Sequence, residues 1–536
     1  MASNTQATPP YTILILGGGI AGIASALALS KTLTPVLPNL KIIIYELRDV
    51  PSTSGGAINL TPVAHRHLDH LGVLDELQYL GPQGGVEVDE IEIFSSHSGK
   101  KMGAVDFAGK DGKGYGGYKG RRIMRICLHL ALISAVEKRS NIEMMFGKKV
   151  VGGIETDKCV TIYFEDGTFA KGDLALGCDG VHSATRSTIV DPDRISEYTG
   201  ISFIQATIKS EIIRSPKHFS VTALNRSKHG TMLTTYCDSE KENMFVAALA
   251  EVDEARLTYE ICKYQASDSW KTKSTAVMIL RNDIQNRFGK SAIPCIREIA
   301  EKCWDWFLYP VYQIHPGGKW YTERILLLGD AAHAMPPKDE SAAYALDDAI
   351  LFARVLTKYI HEPLSEAFRI YESIRKTIDH AYKTACENWT HNKDSSRLSN
   401  LLAEWITPLS LMRQKKKITS AVTPINGFNR INNTPREKLK RPMAYPVSEE
   451  IYITFGYNAP LTCNHCPLLF RTNERELGQH EGSEPSRYVP SARAILHASL
   501  PPVNWTLKFA GAPMKKVFVP HAYALDIHTC TYVSAS

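Results

Sequence analysis

The sequence predicts an α/β protein organised around a parallel sheet, with a second β-sheet domain inserted into it and helices towards the C-terminus. Three stretches carry that expectation, because each is a short apolar strand that stops at glycine and then runs into a helical pattern. They are residues 11–30 (YTILILGGGIAGIASALALS), 173–186 (DLALGCDGVHSATR) and 324–349 (RILLLGDAAHAMPPKDESAAYALDDA). The chain's 536 residues suffice for two or three domains with a sizeable core. With 44% hydrophobic and 22% charged residues it reads as globular rather than disordered or membrane-embedded. A net charge of +6 over this length does not argue for a nucleic-acid partner.

In the first stretch Thr12, Ile13, Leu14, Ile15 and Leu16 favour a strand, and Gly17, Gly18 and Gly19 end it. Beyond Gly22 the residues are small and apolar, without Gly or Pro through Leu29, which suits a helix packed closely on a sheet. Gly17, Gly19 and Gly22 fit the G-x-G-x-x-G spacing, where the first glycine makes the turn, the second admits a pyrophosphate and the third lets helix meet strand. N–H groups at the helix start would then face the phosphates. Residues 41–45 (KIIIY) form a second apolar strand ending at Glu46, a carboxylate placed to accept ribose hydroxyls. The uncharged run 11–30 is not expected to be a signal anchor: glycines interrupt it, no basic segment precedes it and no small-residue cleavage site stands out. No other apolar run is long enough to span a membrane.

Taken in order, residues 1–10 are polar with two prolines and read as a frayed leader. Residues 48–56 (RDVPSTSGG) form a loop, and the helix that follows through Leu71 carries His65, His67 and His70, expected at the surface because so few ligands make no metal site. Residues 119–133 (KGRRIMRICLHLALI) read as an apolar helix whose start bears Arg121, Arg122 and Arg125, an arrangement that suits a nearby anionic ligand. Strand signals at 142–146, 150–154 and 160–164, with a turn at Glu165, Asp166 and Gly167, suggest a small antiparallel insert. In the second stretch the apolar Leu174, Ala175 and Leu176 run into Gly177, Cys178, Asp179 and Gly180 and then a serine-containing helix start. Ligands bind at such turns in doubly wound folds, although an ordinary βα connection reads the same way.

Residues 198–319 alternate strand-like runs with aromatic and polar segments, as in a separate sheet domain lying across a cofactor. Trp304, Trp306, Phe307, Tyr309 and Tyr312 read as core packing. In the third stretch Asp330 closes an apolar strand, and a carboxylate there needs donors that a ligand polyol would supply. Pro336 and Pro337 precede a longer helix from Ser341 to Leu356, whose start would point into the same crevice. Helical pattern continues to Trp389, charge runs at 413–417 and 438–441 read as solvated faces or linker, and periodicity is lost past Pro446. Cys463 and Cys466 lack a second ligand pair, so no metal site is expected. Eleven cysteines, mostly single and in apolar surroundings as at Cys127, Cys159, Cys178, Cys262 and Cys295, point to small buried side chains in a reducing, cytoplasmic setting. The glycosylation patterns at Asn388 and Asn504 are then chance matches.

The three stretches together, GGGIAG with Glu46, then GCDGVHSATR, then RILLLGDAAHAMPP, resemble the signature segments of the FAD-dependent aromatic hydroxylases, the group A flavoprotein monooxygenases of the p-hydroxybenzoate hydroxylase fold. In look they are nearest to fungal polyketide-tailoring and tetracycline-modifying members. The resemblance covers about residues 11–390. It implies a Rossmann-type FAD-binding domain in two parts, 11–190 and 320–390, with an inserted mixed or antiparallel β-sheet substrate domain at 191–319, a helical or linker region at 391–445 and an irregular tail at 446–536. Carried over by residue, Gly17, Gly19 and Gly22 would meet the pyrophosphate and Glu46 the adenosine ribose. Arg125 matches the arginine that contacts FAD, Asp179 and Gly180 the motif associated with FAD and the nicotinamide donor, and Asp330 the carboxylate that holds the ribityl chain. Gly56, Ala342 and Ala343 complete the expected cofactor contacts. Within GISFIQA, residues 200–206, Gln205 matches a glutamine that faces substrate.

The resemblance also implies NAD(P)H and O2 as co-substrates and hydroxylation of an electron-rich aromatic, a phenolic polyketide of secondary metabolism. No catalytic base is assigned, since His333 reads equally as a turn residue. Epoxidation or oxidative rearrangement on the same fold, and FAD binding with impaired catalysis, stay open. The last is motivated by a departure: where the family usually has a glycine-rich turn, this chain has Lys338, Asp339, Glu340 and Ser341. Side chains there crowd a ring that glycine would admit, and carboxylates disfavour a flavin that becomes anionic on reduction.

Overall fold

The apolar run after Tyr11 forms a strand, Thr12–Leu16 (β1), and the small-residue run beyond the glycines forms a helix, Ile20–Leu33 (α1). The computed structural model describes residues 11–376 apart from residue 54 and segments 253–269 and 337–340, most of residues 378–386, and four short strands between residues 504 and 533. The chain divides into two units, residues 1–254 with 277–459 and residues 255–276 with 460–536. In the second unit Asn504–Leu507 pairs with Lys515–Phe518, and Ala524–Asp526 with Thr531–Val533, as antiparallel ribbons. Everything that follows concerns the first.

Its organising layer is a five-stranded sheet in the order Ile325–Leu327, Leu174–Gly177, β1, Lys41–Tyr45 (β2), Ile142–Met145, with every neighbouring pair parallel. β1 lies at the centre with Ile13, Leu14, Ile15 and Leu16 buried, which is why it reads as a continuous apolar run rather than an alternating one. Leu16 stands beside Gly177, and Gly177 beside Leu327. The three glycine turns therefore leave the sheet side by side at one edge. α1 packs along the helix Ser341–Lys358.

A second, seven-stranded mixed sheet has the order Phe307–Gln313, Glu197–Lys209, Asn243–Glu251, Gly230–Tyr236, Thr222–Ser227, Glu90–Ser95, Lys101–Asp106. Two of its strands thus come from well before residue 191. Residues directly opposite each other share a face, so Gln205 lies with Ala247 and Phe307, and Phe203 with Leu249 and Tyr309. A small sheet of Ala57–Leu60, Gly120–Met124 and Val86–Val88 supplies Ala57, Val86 and Met124 to the apolar cluster on that face.

Three expectations are corrected. Ile142–Met145 is not part of the antiparallel insert but extends the parallel sheet beside β2; the insert is Val150–Glu155, Val160–Phe164 and Phe169–Gly172, with the Gly167 N–H closing its turn on the Phe164 carbonyl at 3.0 Å. Arg121 and Arg122 lie on a strand, because antiparallel pairing with Ala57–Leu60 overrides their helical pattern, and the helix begins only at Arg125. His65 and His67 are buried rather than superficial, His65 with Nδ1 3.2 Å from the Lys119 carbonyl and His67 with Nε2 3.4 Å from Asp347 Oδ1. Half-buried His70 is pushed down to about 4 by burial and by Lys31. The second stretch runs, as expected, into a helical segment, which ends in the wide turn Arg186–Val190.

Trp306 is core, as expected, whereas Trp304 is half exposed beneath the Arg281 guanidinium at 3.9 Å. Cys178 and Cys295 are buried, while Cys127 and Cys159 are half-buried. The turn at Lys338, Asp339 and Glu340, residues 1–10, Cys262, Trp389, the charge runs and the cysteine pair at 463 and 466 lie outside the described residues. A Cβ on Gly22 would stand 1.9 Å from the Gly17 carbonyl oxygen. Gly22→Ala should therefore lower stability by about 1–3 kcal/mol in a denaturant titration, as overpacking against backbone does.

Candidate active site

Each glycine of the first turn has a distinct steric reason. Gly17 has φ of 108° and donates its N–H to the Tyr45 carbonyl at 2.8 Å; a Cβ there would lie 2.5 Å from the Cys178 carbonyl oxygen. Gly22 meets Gly17 at the distance given above. Gly19 caps α1, and a Cβ on it would meet nothing within 4 Å. The first and third glycines are thus bare because protein approaches them, and the second because space is left beside it. α1 has no acidic residue in its first turn and no capping side chain, so its N-terminal partial charge is offered to a ligand.

Glu46, buried at the end of β2, accepts the Gly18 N–H at 2.8 Å through Oε2 and the Arg48 N–H at 3.1 Å through Oε1. On the other flank His129 holds the Gly18 carbonyl at 2.6 Å. Burial pushes that imidazole below its ordinary value, so it is neutral, and its Nε2 donates to the carbonyl. His129 lies one turn beyond Arg125 on the helix Arg125–Glu137. Arg125 donates its own N–H to the Gly56 carbonyl at 3.0 Å, and its half-buried guanidinium has no hydrogen bond or ion pair among the described residues.

At the second turn the Asp179 carboxylate is occupied locally, by Ser183 Oγ at 2.5 Å and by the N–H and Oγ1 of Thr185 at 2.8 and 2.9 Å. Burial raises its pKa in spite of those donors. Gly180, with φ of 78°, has open space where a Cβ would stand. His182 is pushed down to about 4 by burial and by Arg186, and is neutral.

At the third turn Gly329 adopts φ of 62° and packs so closely on α1 that a Cβ would lie 2.9 Å from Ala21 Cβ. Asp330 follows, half-buried, and its carboxylate has no partner among the described residues, whereas the backbone around it is tied down. Arg186 donates to the Ala331 carbonyl at 2.9 Å and Arg194 to the Ala332 carbonyl at 2.6 Å. Asp348, fully buried, accepts the Gly329 N–H at 2.9 Å and faces His333 Nε2 at 2.7 Å with the same oxygen. His333 thus sits buried in the turn with one ring nitrogen engaged. Ala342 and Ala343 begin the helix Ser341–Lys358 nearby.

Gly17, Gly19, Gly22, Gly180 and Asp330 thus come together along one sheet edge, with Glu46 at its flank. Arg125 and Gly56 form a second group, joined to the first through His129. Gln205 belongs to a third, on the face of the seven-stranded sheet. A Cβ on Gly55 would lie 3.6 Å from Arg125 Cδ and 3.9 Å from the Tyr309 ring, and one on Gly56 would lie 2.0 Å from the Phe245 ring. The Gly55–Gly56 loop is therefore where cofactor-side and sheet-side groups meet. Sequence reasoning missed Arg186, Arg194, Asp347, Asp348 and Arg375. The signal for two of them was present, since adjacent carboxylates in an apolar helical run imply a buried cation.

Residues 10–382 match the FAD binding domain family. The chain belongs to that family. It is similar to 3-hydroxybenzoate 6-hydroxylase of Klebsiella oxytoca, 24% identical over 364 residues, covering 68% of this chain and 83% of that protein. It is also similar to the FAD-dependent monooxygenase prhF of Penicillium brasilianum, 25% identical over 408 residues, covering 72% and 77%. Its fold is that of Klebsiella pneumoniae HpxO, solved with FAD and uric acid, at a TM-score of 0.59 and 21% identity over 77% of this chain and 96% of that one. The protein is an FAD-dependent monooxygenase of the aromatic hydroxylase family. FAD is its cofactor, with NAD(P)H the co-substrate typical of the family. The residues present fit such a group: space is left beside Gly19, and the Arg125 guanidinium and the Asp330 carboxylate have no partner among the described residues. Among the described residues no cluster could hold a metal, and no helix is long and apolar enough to cross a membrane.

Asp330→Ala should weaken FAD retention by about 1.5–3 kcal/mol for each charge-assisted hydrogen bond lost, read from the flavin absorbance that survives gel filtration. Acid stability follows from two adjacent carboxylates, half-buried Asp347 and buried Asp348. Burial alone would raise Asp347 and Asp348, but His67 and Arg375 for the former, and Arg375 and His333 for the latter, hold both below the ordinary 3.8. Folded values below the unfolded one mean that the contribution is complete above the unfolded value and is lost as pH falls through the folded ones. Thermal unfolding from about pH 6 to pH 2 should show that loss, and Arg375→Met should flatten it.

Proposed function

We propose that this flavoprotein hydroxylates a phenolic, polyketide-type aromatic of secondary metabolism, with NAD(P)H and O2 as co-substrates. The observation that carries the reading is Gln205, which is 4% exposed and whose Nε2 has no hydrogen-bond partner among the described residues. A buried donor left unmade costs about 1–3 kcal/mol, so it is retained where a ligand oxygen satisfies it. Phe203, Phe307 and Tyr309 share its face, and their rings suit a planar aromatic. The likeness to a Penicillium FAD-dependent monooxygenase supports the monooxygenase part of the reading.

In this reading the α1 N-terminus holds the pyrophosphate, Arg125 a second anionic group, Glu46 and Asp330 the hydroxyls of ribose and ribityl chain, and Gly56, Gly180, Ala342 and Ala343 line the cofactor. Residues 11–190 and 320–390 are the FAD-binding domain, and 191–319 with the strands Glu90–Ser95 and Lys101–Asp106 the substrate side. Bound FAD supplies the oxygen activation. The chain's own part is positional: Gln205 donates to a substrate oxygen, the aromatic face sets the ring plane, and the Gly55–Gly56 loop admits the ring close to the cofactor side. A cytoplasmic location belongs to the same reading.

Anaerobic addition of NADPH to the purified protein should bleach the flavin bands faster with phenolic polyketides than without them, and labelled dioxygen should appear as one oxygen in a product of unchanged skeleton. Gln205→Leu should raise KM for that substrate roughly five- to tenfold while leaving FAD content unchanged, as loss of one buried hydrogen bond requires. A KM that does not move would remove Gln205 from the substrate site.

A further inference from the structure

We infer that Asp348 is a positioning residue for the Asp330 carboxylate, acting through both ends of the turn that carries it. The inference rests on the reading of Asp330 as a cofactor ligand. One oxygen of Asp348, Oδ2, accepts the N–H of Gly329, the residue before Asp330, and also meets His333 Nε2 at the other end of the one-turn helix Asp330–His333. A single buried atom thus fixes the start and the finish of a four-residue turn. The remaining oxygen, Oδ1, pairs with Arg375 Nε. Arg375 is itself held by Asp347 Oδ2 at 2.9 Å and the Tyr344 carbonyl at 3.1 Å.

If these charges served only to join the helix Ser341–Lys358 to Leu364–Arg375, the pair of Asp347 with Arg375 would be enough. Asp348 instead spends one oxygen on a different element, and that element carries the carboxylate left unpartnered among the described residues. Burying ions is costly and stabilises less than apolar packing of the same volume, so a buried carboxylate at this place is explained by geometry rather than by stability. Gly329 reinforces the point, because its φ of 62° against Ala21 is a conformation that a hydrogen bond to Asp348 selects.

The test is a double-variant cycle on the full-length protein, with FAD dissociation constants from equilibrium dialysis and melting temperatures taken alongside. Asp330→Asn and Asp348→Asn are each expected to weaken FAD binding roughly tenfold, and the double variant is expected to be little weaker than Asp330→Asn alone, because coupled sites are not additive. Effects that multiply would overturn the inference, showing that Asp348 acts on the fold at large. An Asp348→Asn protein with unchanged FAD affinity beside a weakened Asp330→Asn would also overturn it while leaving the cofactor reading intact. Unchanged affinity in Asp330→Asn would sink both. Should Asp348→Asn not fold, Arg375→Gln is paired with Asp330→Asn in the same cycle, and the same non-additivity is expected.

Discussion

With only 1.9 Å between a Cβ on Gly22 and the Gly17 carbonyl, and 2.5 Å between one on Gly17 and the Cys178 carbonyl, α1, β1 and the strand Leu174–Gly177 meet at separations that bare α-carbons alone allow. That closeness decides where the N-terminus of α1 points. Gly329 then comes against Ala21, which brings the third turn to the same place. Three turns far apart in sequence are thereby aligned by close approach at bare α-carbons, and the open side of Gly19 and Gly180 and the Asp330 carboxylate, unpartnered among the described residues, lie along that alignment.

Glycine contact fixes where the turns lie, but not how each is oriented, and for that the protein uses buried polar and charged side chains. Arg186 and Arg194 seize consecutive carbonyls, Asp348 an N–H, and His129 the carbonyl of Gly18. Burial lowers Arg186 to about 10, still far above neutrality, so it stays a cation. The arrangement ties down the backbone of the turns while the Arg125 guanidinium and the Asp330 carboxylate are left without a partner among the described residues, a division expected of a preorganised site.

The parallel sheet and its three turns were legible because their signals are local: apolar runs, glycine spacing and a carboxylate at a strand end. The side chains that orient the turns were not, since each depends on a partner remote in sequence. Arg186 reads as an ordinary helix-start residue until the Ala331 carbonyl is placed beside it. Arg121 and Arg122 follow a helical pattern that only pairing with Ala57–Leu60 overrules, and Ile142–Met145 looks like the first strand of the insert until β2 is seen as its neighbour. Gln205 was legible only through family resemblance; its burial and unpaired amide are properties of the folded sheet.

The strand order of the central sheet also bears on how the chain emerges from a ribosome. β1 is synthesised first and β2 soon after, yet the other edge of β1 has no partner until Gly177 has been made, and that strand in turn waits for Leu327. Until then a wholly apolar strand has its hydrogen-bonding edge open, the kind of surface that recruits other strands. The turn made first is thus completed only when the third turn, with Gly329 against Ala21, has been made.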